Sequence, residues 1–368
     1  MILRQLRKLF LAIILFAPAF PALSKAPHLT PQEIKNPPPR IIRMCCGFGA
    51  DIGYAVIPFL KRNDITSIEA IGPHKYLEGR DENNGLVYTH RGGFLDMGHL
   101  RDCADWTAYI YNLIQASKED SALTTIHLGF EGGTKTLRLK VPKDLGNDEV
   151  AELAAKIAYN ISVWHEISTW FGARYIPLLA ERFSSFSPED IYSNLMGTHL
   201  AIQAIESDMD YDDAMTFYID KMLKELEAVS TWDDTYNALE KVNKLWFDGD
   251  KRYPNKKVTI KRFLDSGNEL SPWLIPEDDG VYDPYVLSKP DNAYSDYYEL
   301  QIKLNYHFPV KSIFADLNDR TINQKDFPVM ISRIHSDLNK LDQKEEKREL
   351  KSVERKEKRM NAKIGSNM

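Results

Sequence analysis

The chain has 368 residues, 43% of them apolar, with 47 basic against 53 acidic side chains and a net charge of -6. That composition is globular, and the length suffices for one large domain or two small ones with a real core. The acidic balance argues against nucleic acid as a partner.

At the N-terminus Arg4, Arg7 and Lys8 precede an apolar run over 9–16, then Pro18, Pro21 and Ala22-Leu23-Ser24. This is the order of a secretory signal peptide over 1–24. The apolar run is too short to span a bilayer, and no later stretch is long and apolar enough to do so. The expectation is therefore a periplasmic or secreted protein with no transmembrane helix after cleavage. Loss of those three cations would make the mature chain more acidic still. In an oxidising compartment, Cys103 can bridge to Cys45 or to Cys46, leaving one thiol over. Three buried thiols packed as small hydrophobes is an equal alternative.

Residues 25–40 include Pro27, Pro31, Pro37, Pro38 and Pro39. Such a density disfavours helix and suits an extended linker. A single globular domain is expected over 41–310, an extension over 311–339 and a charged tail over 340–368. The stretch that organises the rest is 85–115, where extended Leu86, Val87 and Tyr88 lead through Arg91-Gly92-Gly93 into a helix. Asp96 caps that helix, which runs to about residue 116 with Leu100, Ala104, Tyr111 and Leu113 among its apolar positions.

Segments 124–130 and 134–141 flank Glu131-Gly132-Gly133, and Leu137-Arg138-Leu139-Lys140-Val141 alternates with period two, which makes a hairpin. A helix over 149–171 carries Ala151, Ala154, Ala155, Ile157, Ala158, Ile161, Val163 and Trp164, so little polar face remains and it belongs in the core. Ser187-Pro188-Glu189-Asp190 has a serine cap, a proline in the first turn and an acid behind it, and starts a helix through Leu195 and His199 to about residue 205. Capped helices over 211–229 and 232–247 follow. Prolines, glycines and acids make 248–296 a long, partly ordered loop. Leu300, Ile302, Leu304, Tyr306 and Phe308 then alternate with polar residues as a strand with one buried face. The tail alternates charges without heptads and should be a solvated helix or disorder. The fold class is α+β, mainly helical, with a small antiparallel sheet beside a helical core.

Three histidines on three of these helices carry the candidate chemistry. His99 and Asp102 share a helix face, which Asp105 continues. In the first turn the helix dipole keeps His99 neutral, as a metal ligand or general base requires. Pairing of Asp102 and Asp105 with Arg101 or Arg91 is the simpler account of those acids. His165-Glu166 begins like a zinc-peptidase helix, but Thr169 stands where the second histidine is needed, so that motif is broken. Its first half leaves His165 as a ligand and Glu166 as a base or as a partner behind the ligands; otherwise His165 is a core histidine between Trp164 and Trp170. His199 is a third candidate, with His90 an outsider. Serine-hydrolase, phosphate-loop and Cys-x-x-Cys signatures are absent.

The order Arg43-Met44-Cys45-Cys46-Gly47-Phe48-Gly49, then 88–106, then 164–172, then Phe186-Ser187-Pro188-Glu189-Asp190-Ile191-Tyr192-Ser193-Asn194-Leu195-Met196-Gly197 resembles a bacterial exported family known as domain of unknown function 4056. The resemblance spans roughly 40–280 by motif order. It implies export and assigns no catalytic residues. The function expected from the residues is a metal-dependent hydrolase of the cell envelope, acting on a small-molecule or envelope substrate. Zinc or another divalent ion would sit on His99 and His165, with Asp102 or His199 completing the shell and Glu166 activating a water. In the competing account a non-catalytic envelope structural or binding protein uses the same groups as a buried hydrogen-bond network. Convergence of His99, His165 and Asp102 in a cleft separates the two.

Overall fold

In the computed structural model the described residues are 26–43, 65–173, 182, 184–250, 259–264, 267–276, 281–314, 317 and 319–365. The Pro-rich segment holds a short helix, α1 (Pro31–Lys35), where an extended linker is expected. Thr30 and Glu33 form a capping box around it, and Pro31 takes the first position, where a missing N–H costs nothing. The segment is also docked, since Ile34 is buried and its carbonyl accepts from the Tyr109 hydroxyl at 2.7 Å.

β1 (Leu86–Thr89) pairs antiparallel with β2 (Gly93–Asp96), so Arg91 and Gly92 lie in a hairpin turn rather than in a direct strand-to-helix link. β2 runs without a break into α2 (Met97–Glu119). α2 is covered along most of its length, with residues as different as Leu100, Asp105, Trp106, Tyr109 and Ile114 all buried. The hairpin β3 (Thr125–Phe130) and β4 (Gly133–Leu139) follows as expected.

α3 (Asn147–Trp170) and α4 (Asp190–Glu206) flank α2. A Cβ on Gly197 would lie 2.1 Å from the Leu100 carbonyl oxygen, so only glycine there lets α4 approach α2 this closely. α5 (Tyr211–Glu225) packs on α4. α6 (Trp232–Val242) joins Phe94, Trp246, Phe247 and Ile275 in a smaller core over β1. Within the 248–296 stretch read as loop, the described residues include a short pairing of β5 (Glu269–Leu270) with β6 (Leu287–Ser288).

β7 (Tyr298–Leu304) comes next, and the main sheet is antiparallel throughout in the order β3-β4-β7, with the short β8 (Thr321–Ile322) on the far edge. Leu137, Leu139, Leu300, Ile302 and Leu304 turn inward, as their period-two spacing requires. Between β7 and β8 lies α7 (Val310–Ile313). α8 (Phe327–Gly365) closes the chain. Its first turns bury Phe327, Met330 and Ile334, and Phe327 stacks on Trp164 at 5.8 Å, so the start of α8 is packed onto the core. The architecture is mainly helical α+β, and no helix among the described residues is long and apolar enough to cross a membrane.

Candidate functional site

The site forms where the first turn of α2 meets the last turns of α3 and the first turn of α4. Asp96 caps α2 by accepting the His99 N–H on Oδ1 at 2.9 Å, and its Oδ2 stands 3.2 Å from His99 Nδ1. Its own N–H donates to Ser193 Oγ at 2.9 Å, which ties α4 to the junction. Asp190, one turn earlier on α4, brings Oδ1 within 3.6 Å of the same Nδ1. Both contacts are ion-pair distances without hydrogen-bond geometry, so Nδ1 of His99 faces two carboxylate oxygens that it does not hydrogen-bond. Nε2 faces Glu166 Oε1 at 4.0 Å.

His165 is held by a hydrogen bond: its Nδ1 lies 2.7 Å from Glu131 Oε1, which leaves Nε2 on the other side of the ring. Glu131 reaches α3 because Gly132 turns the hairpin at φ +63°, where a Cβ would press on Ser168 at 3.2 Å; the Glu131 carbonyl accepts from Trp164 Nε1 at 2.9 Å. Lys135 Nζ and Arg40 Nε each lie 2.7 Å from the Glu131 carboxylate. Burial pushes this carboxyl upward, but Lys135 and His165 outweigh it and hold Glu131 well below the usual carboxylate range.

Glu166 points the other way from its neighbour on α3. Its Oε2 accepts the Phe186 N–H at 2.5 Å, and Phe186 adopts a left-handed φ of 56°, a conformation that costs a bulky residue about 1–2 kcal/mol. Its Oε1 is buried without a hydrogen-bond partner. One ligand atom from each of His99, His165 and Glu166 lies within 4.8 Å of the others; Asp96, His99 and Asp190 form a second such group. A partly open cleft is lined by His99, His165 and Glu131, with Arg40, Trp106, Ile161, Ser162 and Asn194 also in its wall. Behind it, burial raises the Glu189 and Asp190 carboxyls well above the usual range.

The structure corrects several expectations. Asp102 borders the cleft, but its oxygens are taken: they accept from the Ile42 and Arg43 N–H groups at 3.0 Å and from Arg43 Nη1 at 3.2 Å. Asp105 also pairs with Arg43, at 2.8 Å, and with His74, at 3.0 Å. Neither acid uses Arg101 or Arg91. Arg101 instead binds the Ile71 and Gly72 carbonyls, and Arg91 the Glu225 carbonyl. His199 sits on α4 away from the site, where Nε2 donates to the Ser288 carbonyl at 2.7 Å. His90 stacks on Tyr282 at 4.5 Å. The Thr169 hydroxyl bonds back to the His165 carbonyl. Cys103 is a buried free thiol and not half of a bridge, whereas Cys45 and Cys46 lie outside the described residues. Glu166, expected as a base, stands among the groups that could hold a metal ion. The acids at the site beyond Glu166 are Asp96, Glu131, Glu189 and Asp190, whose sequence positions read as helix caps and a turn.

A family model described as a protein of unknown function (DUF4056) matches residues 33–276. The chain belongs to the DUF4056 family. The matched part of this DUF4056 protein contains Arg40, Asp96, His99, Glu131, Lys135, His165, Glu166, Glu189 and Asp190, so the whole candidate centre lies inside it. Strands β7 and β8 and helix α8 lie beyond it. No curated protein and no solved structure matches the chain.

Proposed function

We propose that this DUF4056 protein is an exported metal-dependent hydrolase whose divalent ion, zinc being the best fit, is held by His99 Nε2, His165 Nε2 and Glu166 Oε1. The observation that carries the reading is the pair of buried carboxylates behind the two histidines. Glu131 hydrogen-bonds His165 Nδ1 at 2.7 Å and Asp96 Oδ2 stands 3.2 Å behind His99 Nδ1, an arrangement in which Nε2 of each ring would be the ligand atom. Two histidines and a glutamate make the three-ligand set of a catalytic zinc site, with a fourth position left open. The ion would act there as a Lewis acid and lower the pKa of a water toward neutrality.

A hydrogen-bond network serving only the fold would be expected to satisfy Glu166 Oε1, which has no hydrogen-bond partner. Trp106, Ile161 and Ala158 give the cleft apolar walls suited to a small or extended substrate of the envelope. Export follows from the residue order of 1–24, and mass spectrometry of envelope-derived protein should find a chain starting near Lys25. The decisive experiment is elemental analysis of the wild type beside His165→Ala. A metal-bearing wild type and a folded, metal-poor variant support the centre. A wild type that never binds metal, with a variant that simply unfolds, makes His165 a core hydrogen-bonding residue and ends the hydrolase reading.

A further inference from the structure

We propose a second divalent-cation site behind the first, formed by Asp96 Oδ2, Asp190 Oδ1 and His99 Nδ1, so that His99 stands between two ions. The proposal rests on the centre described above, but its own ligands are different atoms.

Its first support is geometry. Ligands bound to one zinc at about 2.0–2.1 Å stand about 3.3–3.4 Å apart around a tetrahedron. The two edges at His99 Nδ1 measure 3.2 Å to Asp96 Oδ2 and 3.6 Å to Asp190 Oδ1. Both lie nearer that spacing than the 4.0 Å edge between His99 Nε2 and Glu166 Oε1 on the other side of the ring.

The second support is unmet bonding capacity. Asp96 is 0% and Asp190 3% exposed, yet Asp96 Oδ2 and Asp190 Oδ1 receive no hydrogen bond; the neighbouring Glu189, 1% exposed, has an equally unsatisfied Oε1. Buried polar atoms are normally paired, and Asp96 and Asp190, which each bring a ligand atom within 4.8 Å of the other and of His99, offer a cation two oxygens that nothing else satisfies.

Binding would be balanced in protons: with Nε2 and Nδ1 both used as ligand atoms, His99 would release its ring proton to solvent and serve both sites as an imidazolate.

The test loads the full chain with zinc, removes excess metal by gel filtration and counts ions per chain in the wild type, Asp190→Asn and His165→Ala. A parallel cobalt titration of the wild type is followed by visible absorption. We expect two ions in the wild type, one in each variant, and cobalt breaks at one and two equivalents. Should Asp190→Asn fail to fold, the cobalt titration decides alone. A wild type holding one ion, with a single break, removes the second site and leaves the His99–His165–Glu166 centre standing. A folded Asp190→Asn that keeps two ions places the second elsewhere and overturns the proposal. No bound metal in any sample overturns both.

Discussion

Replacing Glu131 by Gln keeps the shape of the side chain and removes the charge that three groups share. His165 Nδ1, Lys135 Nζ and Arg40 Nε all stand 2.7 Å from its carboxylate. A glutamine oxygen still accepts from one of them, but its NH2 must then face another donor. Lys135 has a side chain only 1% exposed, so it is left as a buried cation without its anion. Breaking a buried pair in this way costs about 3–5 kcal/mol of stability. Loss of a carboxylate behind a ligating histidine weakens metal binding by about 10–100-fold.

The two effects are separable. Glu131→Gln combined with Lys135→Met should recover most of the stability, because the stranded charge is gone, while zinc affinity stays reduced. Urea denaturation of the metal-free proteins and chelator competition for zinc read the two quantities independently. Zinc affinity in Glu131→Gln equal to wild type would refute the orienting role of Glu131. Full recovery of affinity in the double variant would show that the loss came through stability alone.

Asp102→Asn should lower stability by about 1–3 kcal/mol through the Ile42 and Arg43 bonds and leave metal content unchanged, whereas a metal-free, folded variant would return Asp102 to the site. His199→Ala loses a single bond to Ser288 and should cost no more than about 1.5 kcal/mol, again with full metal content by elemental analysis. Glu82 and Asp105 respond to pH together. Burial pushes each upward, but Arg43 for Glu82, and His74 with Arg43 for Asp105, bring both below their ordinary values. A lowered folded pKa means that their contribution is complete above the unfolded carboxylate range, near 4, and is lost as pH falls through the lower folded values. The urea midpoint should therefore drop on acidification, less steeply in Glu82→Gln, and an unchanged slope would count against the network. Burial pushes the Cys103 thiol up to about 12, so mass-mapped alkylation should leave Cys103 unmodified until the protein unfolds.

The elements were legible in the sequence because their signals are local. Asp96 caps α2 as its position announces, the apolar run of 150–170 is a buried helix, and Leu300, Ile302 and Leu304 alternate into the sheet. The two histidines that meet at the candidate site were legible too, since a histidine in a helix's first turn and a His-Glu pair on a strongly apolar helix each stand out against their surroundings. Docking of the Pro-rich segment was not, because a proline count says nothing of the Thr30–Glu33 box or of the Tyr109 hydroxyl that receives Ile34.

What only the tertiary structure decided is which acids serve the site and which serve the fold. Asp102 shares a helix face with His99, but Arg43, distant in sequence, occupies it. Asp96, Glu131, Glu189 and Asp190 sit where acids cap helices or occupy turns, and local sequence explains them fully without any site. They reach His99 and His165 because Gly197 lets α4 lie against α2 and Gly132 folds the hairpin onto α3. Helix and strand periodicity are properties of neighbours along the chain. The pairing of a carboxylate with a histidine or an arginine depends on distances between elements, which no spacing along the chain encodes.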